Sequence, residues 1–461
     1  MSGTSSVGNS SAGSAHDSGA HPIAPAVPAA IARSVPKLEL PFERFELSCG
    51  AILLVSPRPG ATVCAISCHV RGGPALDPIG REGVAFLSGS LVDQGTEHHD
   101  EEHIAELLEP AGGELGGDAS GVSGSIVNAQ WELLFELISH SVIAPTYPAE
   151  KVALHRQRLV DRLTIERDEP RTQGGLVFRK LVYGDHWLGR AAYGTESSVV
   201  RIGPKDLRTH HTKNWVAKRG VIAVCGDVDP ARVRKTAEKL FRAWPSGTAL
   251  VTTPPAFPER GRRAGVFPAQ RSQVHLYVGH LGIARSDADY PALVVMDHVL
   301  GTGPGFTNRI SRVLRDEQGL AYSVNASIHS TAGILPGMFT AYIGTSPQNV
   351  KTAAHGFLRE MRRIQDEAVP KEELDLAKSY LIGSFPLGFE RAARRVSYLV
   401  SAEVHRFPAD NLERLLRAFA SVTSEDVQRA AKKHLFPERC AFAAAGPIAK
   451  ADLAKAAGLA R

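Results

Sequence analysis

The chain repeats itself once, and the repeat limits what it can build. Residues 202–207 (IGPKDL) match residues 422–427 (VTSEDV) 220 positions later. At the same separation Trp215 meets Leu435, and Gly226 meets Gly446 behind the apolar runs 221–225 and 441–445. A helix start, a helix length and a returning strand therefore recur in step. The 461 residues exceed what one hydrophobic core serves, so two homologous domains of about 200 residues each are expected.

The pattern around the repeat supports this. Residues 62–70 read as a strand, and Val84, Leu87 and Leu91 mark a helix. Ile104, Leu107 and Leu108 mark a second, running into Gly112 and Gly113. Trp131, Leu134, Phe135, Ile138 and Val142 follow at helical spacing. Pro148 suits the first turn of a helix reaching about Arg167, which Asp168, Glu169 and Pro170 stop. Pro204 starts another helix, 220–226 is a buried strand, and Asp229 and Pro230 open a helix ending near Trp244. Prolines 245, 254, 255 and 258 and the basic stretch 260–263 make 245–263 a linker. Beyond it the pattern restarts, with a strand at 273–279 and a helix at 291–300. Strands mixed with long helices, without strict alternation, predict an α+β chain: two homologous domains, each a mainly antiparallel sheet with helices on one face. The expected layout is a tail at 1–35, an N-terminal domain at 36–244, the linker, and a C-terminal domain at 264–461.

Composition removes other classes. Hydrophobic residues at 43% and charged residues at 22% are those of a soluble globular chain. A net charge of +5 comes without any basic run interleaved with aromatics, so nucleic acid is not expected as a partner. No apolar stretch approaches the ~18 residues of a membrane span. The five cysteines (Cys49, Cys64, Cys68, Cys225, Cys440) form no C-x-x-C pair and read as free, buried thiols of a reducing compartment. Residues 1–35 are Ser, Gly, Ala, Pro and His with little else and are expected to be disordered. They lack the basic start and apolar core of a secretory signal, which points to the cytoplasm.

Chemistry concentrates in residues 301–324 (GTGPGFTNRISRVLRDEQGLAYSV). Gly301, Gly303 and Gly305 form a loop, and Thr307 and Asn308 are good N-cap residues. Ile310, Val313 and Leu314 then mark a short amphipathic helix, ended by Gln318 and Gly319, with a strand beginning over 320–324. Arg315 in the last turn and Tyr322 seven residues on span a helix-to-strand corner that can fold both toward one point. A guanidinium and a phenol so placed are two donors for a carbonyl or an oxyanion. The competing reading is an arginine that complements its helix dipole and an ordinary strand tyrosine. The loop is no dinucleotide motif, because it is not G-x-G-x-x-G and Pro304 removes a donor. Arg391, Arg394 and Arg395 read as a solvated helix face, and His210 and His211 have no ligand partner nearby.

From residue 36 to 447 the chain resembles the mitochondrial-processing-peptidase-like branch of the pitrilysin/insulinase zinc peptidases. Gly83-Val84-Ala85, Gly95-Thr96, 104–108 (IAELL) and 112–115 (GGEL) look like that family's first domain. Residues 181–186 (LVYGDH), 194–197 (GTES) and 226–229 (GDVD) continue it, and 371–385 and 424–427 look like the second. The resemblance implies the processing-peptidase/LuxS-like metallohydrolase fold. It also implies an H-x-x-E-H zinc motif on the first helix and a further glutamate from a later helix. In that frame the motif positions are Phe86, Gly89 and Ser90, and the distal glutamate falls on Arg162. No metal ligand remains. A literal H-x-x-E-H at His99, Glu102 and His103 lies thirteen residues too late. Asp100 reads as the N-cap of its helix, which would leave His99 outside and unstacked on His103.

In the family an Arg and a Tyr seven apart, supplied by the domain without zinc, hold the substrate backbone and polarise the scissile carbonyl. Arg315 and Tyr322 match that motif, and Gly301, Gly303 and Gly305 precede it. The resemblance therefore implies a non-catalytic, substrate-holding subunit, with no cofactor in this chain and zinc in a homologous partner chain. The alternatives are a scaffold with no peptidase partner, and a self-sufficient metalloenzyme using His99, Glu102 and His103.

Overall fold

The computed structural model describes residues 35, 38–250, 261–303 and 307–459. The expected tail (except Val35), the linker's middle at 251–260, and Gly305 lie outside the described residues.

Two sheets form the frame. The first contains β1 (Glu43–Glu46), β2 (Ile52–Pro57), β3 (Val63–Val70), β4 (Glu114–Asp118), β5 (Gly121–Val127) and β6 (Gly220–Gly226), in the order β1-β2-β6-β3-β5-β4. The second contains β7 (Arg263–Pro268), β8 (Val274–Leu281), β9 (Val324–Ser327), β10 (Met338–Thr345) and β11 (Ala441–Gly446), in the order β7-β11-β8-β10-β9. With β1 set aside, each sheet runs first, fifth, second, fourth, third strand of its own half. In each, the first and fifth strands are parallel (β2 with β6, β7 with β11) and the remaining pairs antiparallel. The architecture is the α+β one that the sequence predicts, with two like sheets each packed with helices.

The repeated motif is a pair of helix starts. Asp206 accepts from the Gly203 amide at 2.9 Å and Asp426 from the Thr423 amide at 3.1 Å, each closing the entry to its helix (Pro204–Asn214 and Ser424–His434). These bonds satisfy donors at the helix entry, and at the second helix Thr423 Oγ1 returns one by accepting from the Asp426 amide at 3.1 Å.

Each sheet has a second buried face, and there the halves interlock. β6 is buried along its whole length. Ile222 and Val224 join the main core of the first half, while Val221, Ala223 and Cys225 pack with Val396, Leu399 and Val400. Those three belong to the helix Ala392–His405, far along the chain. Reciprocally, the helix Pro170–Tyr183 lays Phe178 and Val182 on Ala441 and Ala443 of β11. Each half thus keeps most of its helices on one face of its own sheet and lends one helix to the outer face of the other. All five cysteines are free and buried.

Candidate functional site

Asn308 opens the helix Ser311–Glu317, its Oδ1 accepting from the Ser311 amide at 2.9 Å. At the other end Gly319 takes a φ of 62°, its amide bonds Arg315 O at 3.0 Å, and the Leu320 amide bonds Leu314 O at 2.9 Å. The helix therefore ends as expected, but the strand starts later than the sequence suggests. Leu320's amide is committed to the helix terminus, so β9 begins only at Val324. Within this corner the Arg315 guanidinium carbon lies 5.3 Å from the Tyr322 ring centroid. Tyr322 is 85% exposed, whereas the Arg315 side chain is mostly covered.

The loop before the helix has a packing reason for glycine. A Cβ on Gly301 would fall 2.5 Å from the backbone of Ala326 in β9, and one on Gly303 2.5 Å from His298 O. Arg309, between loop and helix, is buried and donates from Nε to Glu373 Oε2 at 2.7 Å; Arg312 reaches Oε1 of the same carboxylate at 3.4 Å. Glu373 lies on the helix Lys371–Gly388, so one carboxylate fixes the corner to the domain body. Sequence reading did not single out Arg309, since its role depends on a partner 64 positions away.

The four positions that the resemblance assigns to the family's metal do not fit one. Phe86 and Gly89 lie on the helix Val84–Gly89, with Ser90 as its C-cap. A Cβ on Gly89 would lie 1.7 Å from Asp118 O in β4, so no side chain fits there. Arg162 lies 4.7 Å over the Tyr193 ring, which Phe86 meets edge-on at 4.8 Å. Arg162 also bonds Glu166 at 2.7 Å. An aromatic, a cation and a glycine without space stand where carboxylate and imidazole would be required. Asp77, another residue that sequence reading passed over, holds the start of this helix by accepting from the Gly83 and Ala85 amides at 2.7 and 2.8 Å. Burial pushes its carboxyl up to about 6.

The literal H-x-x-E-H behaves differently from expectation in one respect. Asp100 is the N-cap, accepting from the His103 amide at 2.9 Å. Yet His99 and His103 do stack, with ring centroids 4.8 Å apart. The extended N-cap residue turns the chain so that the preceding side chain folds back over the first helical turn. His140 joins from the helix Trp131–Ile143, 3.9 Å from His98 and 5.6 Å from His99. His103 Nδ1 lies 3.5 Å from Glu106 Oε2, one turn on from Glu102. His210 and His211 are buried, and burial pushes both down to about 4.

Among the described residues, Asp287, Asp289 and His434 are grouped closely enough to surround a cation. Lys433 and Arg429 already bond Asp289 at 2.7 and 2.6 Å, and His434 at 2.9 Å. Against the upward push of burial, these bonds hold its carboxyl well below the usual range. The group is an ion-pair network joining two helices.

A cleft of about 750 Å³ runs between the halves. Tyr193, which carries Arg162 and Phe86, forms one side, and Asn325 and Ser327 of β9 form another. It thus runs from the ring that Arg162 and Phe86 meet to the strand that leads out of the Arg315/Tyr322 corner.

Residues 201–381 match the family model described as Peptidase M16 inactive domain. An uncharacterized zinc protease of Mycobacterium tuberculosis is 24% identical over 377 residues, covering 79% of this chain and 84% of its own length. A non-peptidase homolog of Helicobacter pylori is 22% identical over 375 residues, with the same coverage of 79% and 84%. The crystal structure of a peptidase M16 inactive domain from Pseudomonas fluorescens superposes with a TM-score of 0.82 at 26% identity, over 89% of this chain and 99% of that one. Over these spans the chain is similar to the M16, pitrilysin-like peptidases, and its C-terminal half matches their inactive domain in part.

Proposed function

We propose that this chain is the non-catalytic, substrate-holding subunit of a heterodimeric zinc metallopeptidase. The observation that carries the proposal is the Arg315/Tyr322 pair, the guanidinium stacked under a tyrosine presented at the surface, in a chain where the positions that the resemblance assigns to zinc hold Phe86, Gly89, Ser90 and Arg162. The partner, a homologous chain, would supply the zinc and an edge strand that takes an extended peptide by strand addition. Arg315 would hold the peptide carbonyl, and the Tyr322 hydroxyl would donate to the same oxygen as charge gathers there. That relatives carry both zinc-protease and non-peptidase names is consistent with a family in which chains differ in catalytic equipment. A scaffold without a peptidase partner is the competing reading. It gives no reason to retain the pair.

Co-expression with a zinc-bearing relative tests this. A one-to-one complex is expected, burying well over the ~1,600 Å² of a standard interface, with peptide cleavage only by the pair. A chain that remains monomeric with every candidate partner in size-exclusion runs supports the scaffold.

A further inference from the structure

Two buried nitrogens, Arg71 Nε and His405 Nε2, have no hydrogen-bond partner among the described residues, and both residues line one cleft of about 700 Å³. It lies between the halves where the two exchanged helices end, at Tyr183 and His405. Its volume is within the ~300–1,000 Å³ of small-molecule sites.

One side of this cleft is cationic and the other apolar. His69, Arg71, His405 and Arg406 line it, and no carboxylate does among the described residues. Arg71 spends Nη2 on Lys218 O at 3.0 Å. Burial and then the nearby Arg406 depress its guanidinium's proton affinity, with Glu403 acting against them from outside the cleft lining. Glu403, the acid nearest in sequence to Arg406, is held by Arg44 at 2.9 and 3.0 Å. His405 places Nδ1 2.8 Å from Ser401 O, so Nδ1 donates and burial, which pushes the ring's proton affinity down, leaves Nε2 an unmet acceptor rather than a donor. Trp187, Leu188, Ile334, Leu335 and Pro336 form the apolar side, and Ile334 is 42% exposed.

An unmet buried donor such as Arg71 Nε costs free energy, and a carboxylate presents two oxygens that match a guanidinium. We propose that this cleft binds a small molecule carrying a carboxylate on an apolar body, the carboxylate on Arg71 and Arg406 and the body against Trp187, Leu188 and Ile334. A fatty acid and the C-terminus of an apolar peptide share this chemistry. The proposal does not depend on a peptidase partner.

The test uses the full chain alone. Octanoate and N-acetyl-leucyl-leucine are titrated beside octanol and the dipeptide amide, by calorimetry and tryptophan fluorescence. Trp187 reports on the site, because Trp131, Trp215 and Trp244 are 5, 3 and 2% exposed in the core. Saturable one-site binding of a carboxylate is expected, with its neutral analogue about tenfold weaker or more; the carboxylate that binds identifies the source. Arg71→Gln is expected to weaken binding about tenfold. Arg406 has a φ of 57°, which asparagine tolerates, so Arg406→Asn removes the cation without straining the turn. It is exposed and carries the test if the Arg71 variant does not fold. Absence of saturation by both carboxylates at millimolar concentration overturns the proposal. So does equal binding of the neutral analogues, or wild-type affinity in a folded Arg406→Asn variant.

Discussion

Arg309 donates from Nε to Glu373 Oε2 at 2.7 Å while its side chain is only 2% exposed. The pair ties the start of the Arg315 helix to the helix Lys371–Gly388. Removing the acid would leave a charge stranded in the core. Glu373→Ala is therefore expected to cost roughly 3 kcal/mol, the low end for orphaning a buried charge, because Glu373 itself is partly exposed. The exposed pair Arg414–Asp410 makes a similar 2.7 Å bond, but Arg414→Ala should change stability by under about 0.5 kcal/mol. Urea midpoints of both variants, at unchanged slope, check the contrast. Equal midpoints would mean the buried pair fixes nothing.

Stability should also depend on pH through His280. Its Nε2 accepts from the Phe436 amide at 3.0 Å and its Nδ1 lies 2.8 Å from Leu281 O, so the ring is held neutral. Burial pushes it down to about 4, against about 6.5 in the unfolded chain. Between those values the unfolded state binds more protons, so stability is full above about 6.5 and is lost as pH falls toward 4. The loss should approach roughly 3 kcal/mol. His210 and His211 act in the same direction, and Asp77, pushed up to about 6, acts in the opposite one. His280→Gln isolates the term: the variant's deficit relative to wild type should shrink as pH falls from 7 to 4. A constant deficit would remove His280 from the pH response.

The crowding at Gly89 makes its own prediction. Because a Cβ at position 89 meets the β4 backbone, Gly89→Ala should destabilise by about 3 kcal/mol or more, at or beyond the usual range for overpacking. For the same reason, restoring the motif as Phe86→His, Gly89→Glu and Ser90→His should yield no folded zinc-binding chain. Thermal unfolding and metal analysis check both. Stoichiometric zinc in a folded triple variant would show that the frame had kept its room.

How legible these features were in the sequence depends on distance along the chain. Asn308, Gly319, Asp206 and Asp426 act within three or four residues of themselves, so each cap could be read directly. The Arg315/Tyr322 corner is likewise local. The exchange of Pro170–Tyr183 and Ala392–His405 was not readable, because an apolar helix stripe does not say which sheet it covers. Among the strands that the sequence reading did not single out (β1, β2, β4, β5, β7 and β10), β1 and β4 escaped for another reason. They are short edge strands with exposed residues, so the alternation that reveals a half-buried strand is weak in them. Tyr193 could not be linked to Phe86 and Arg162, nor His140 to His98 and His99, because each meeting is made by tertiary packing.

The last prediction concerns Tyr322. If its hydroxyl and the Arg315 guanidinium stabilise the oxyanion formed at a partner's metal, each should be worth what an oxyanion-hole donor is worth. Removing one such donor lowers kcat about 10²–10³-fold. Tyr322 is 85% exposed in the single chain, so Tyr322→Phe sacrifices little packing and should leave folding and assembly intact. In the reconstituted pair it should lower kcat strongly with KM little changed. Arg315→Ala should lower kcat and also raise KM, since a guanidinium holds the ground-state carbonyl as well. Were Arg315 only a complement to its helix dipole, its loss would cost under about 1 kcal/mol of stability and leave kcat alone. Steady-state peptide cleavage, with complex formation measured in parallel, separates these outcomes. Near-normal kcat for Tyr322→Phe in an intact, active complex would remove the tyrosine from the chemistry. The stacked pair would then be a surface ornament of a scaffold.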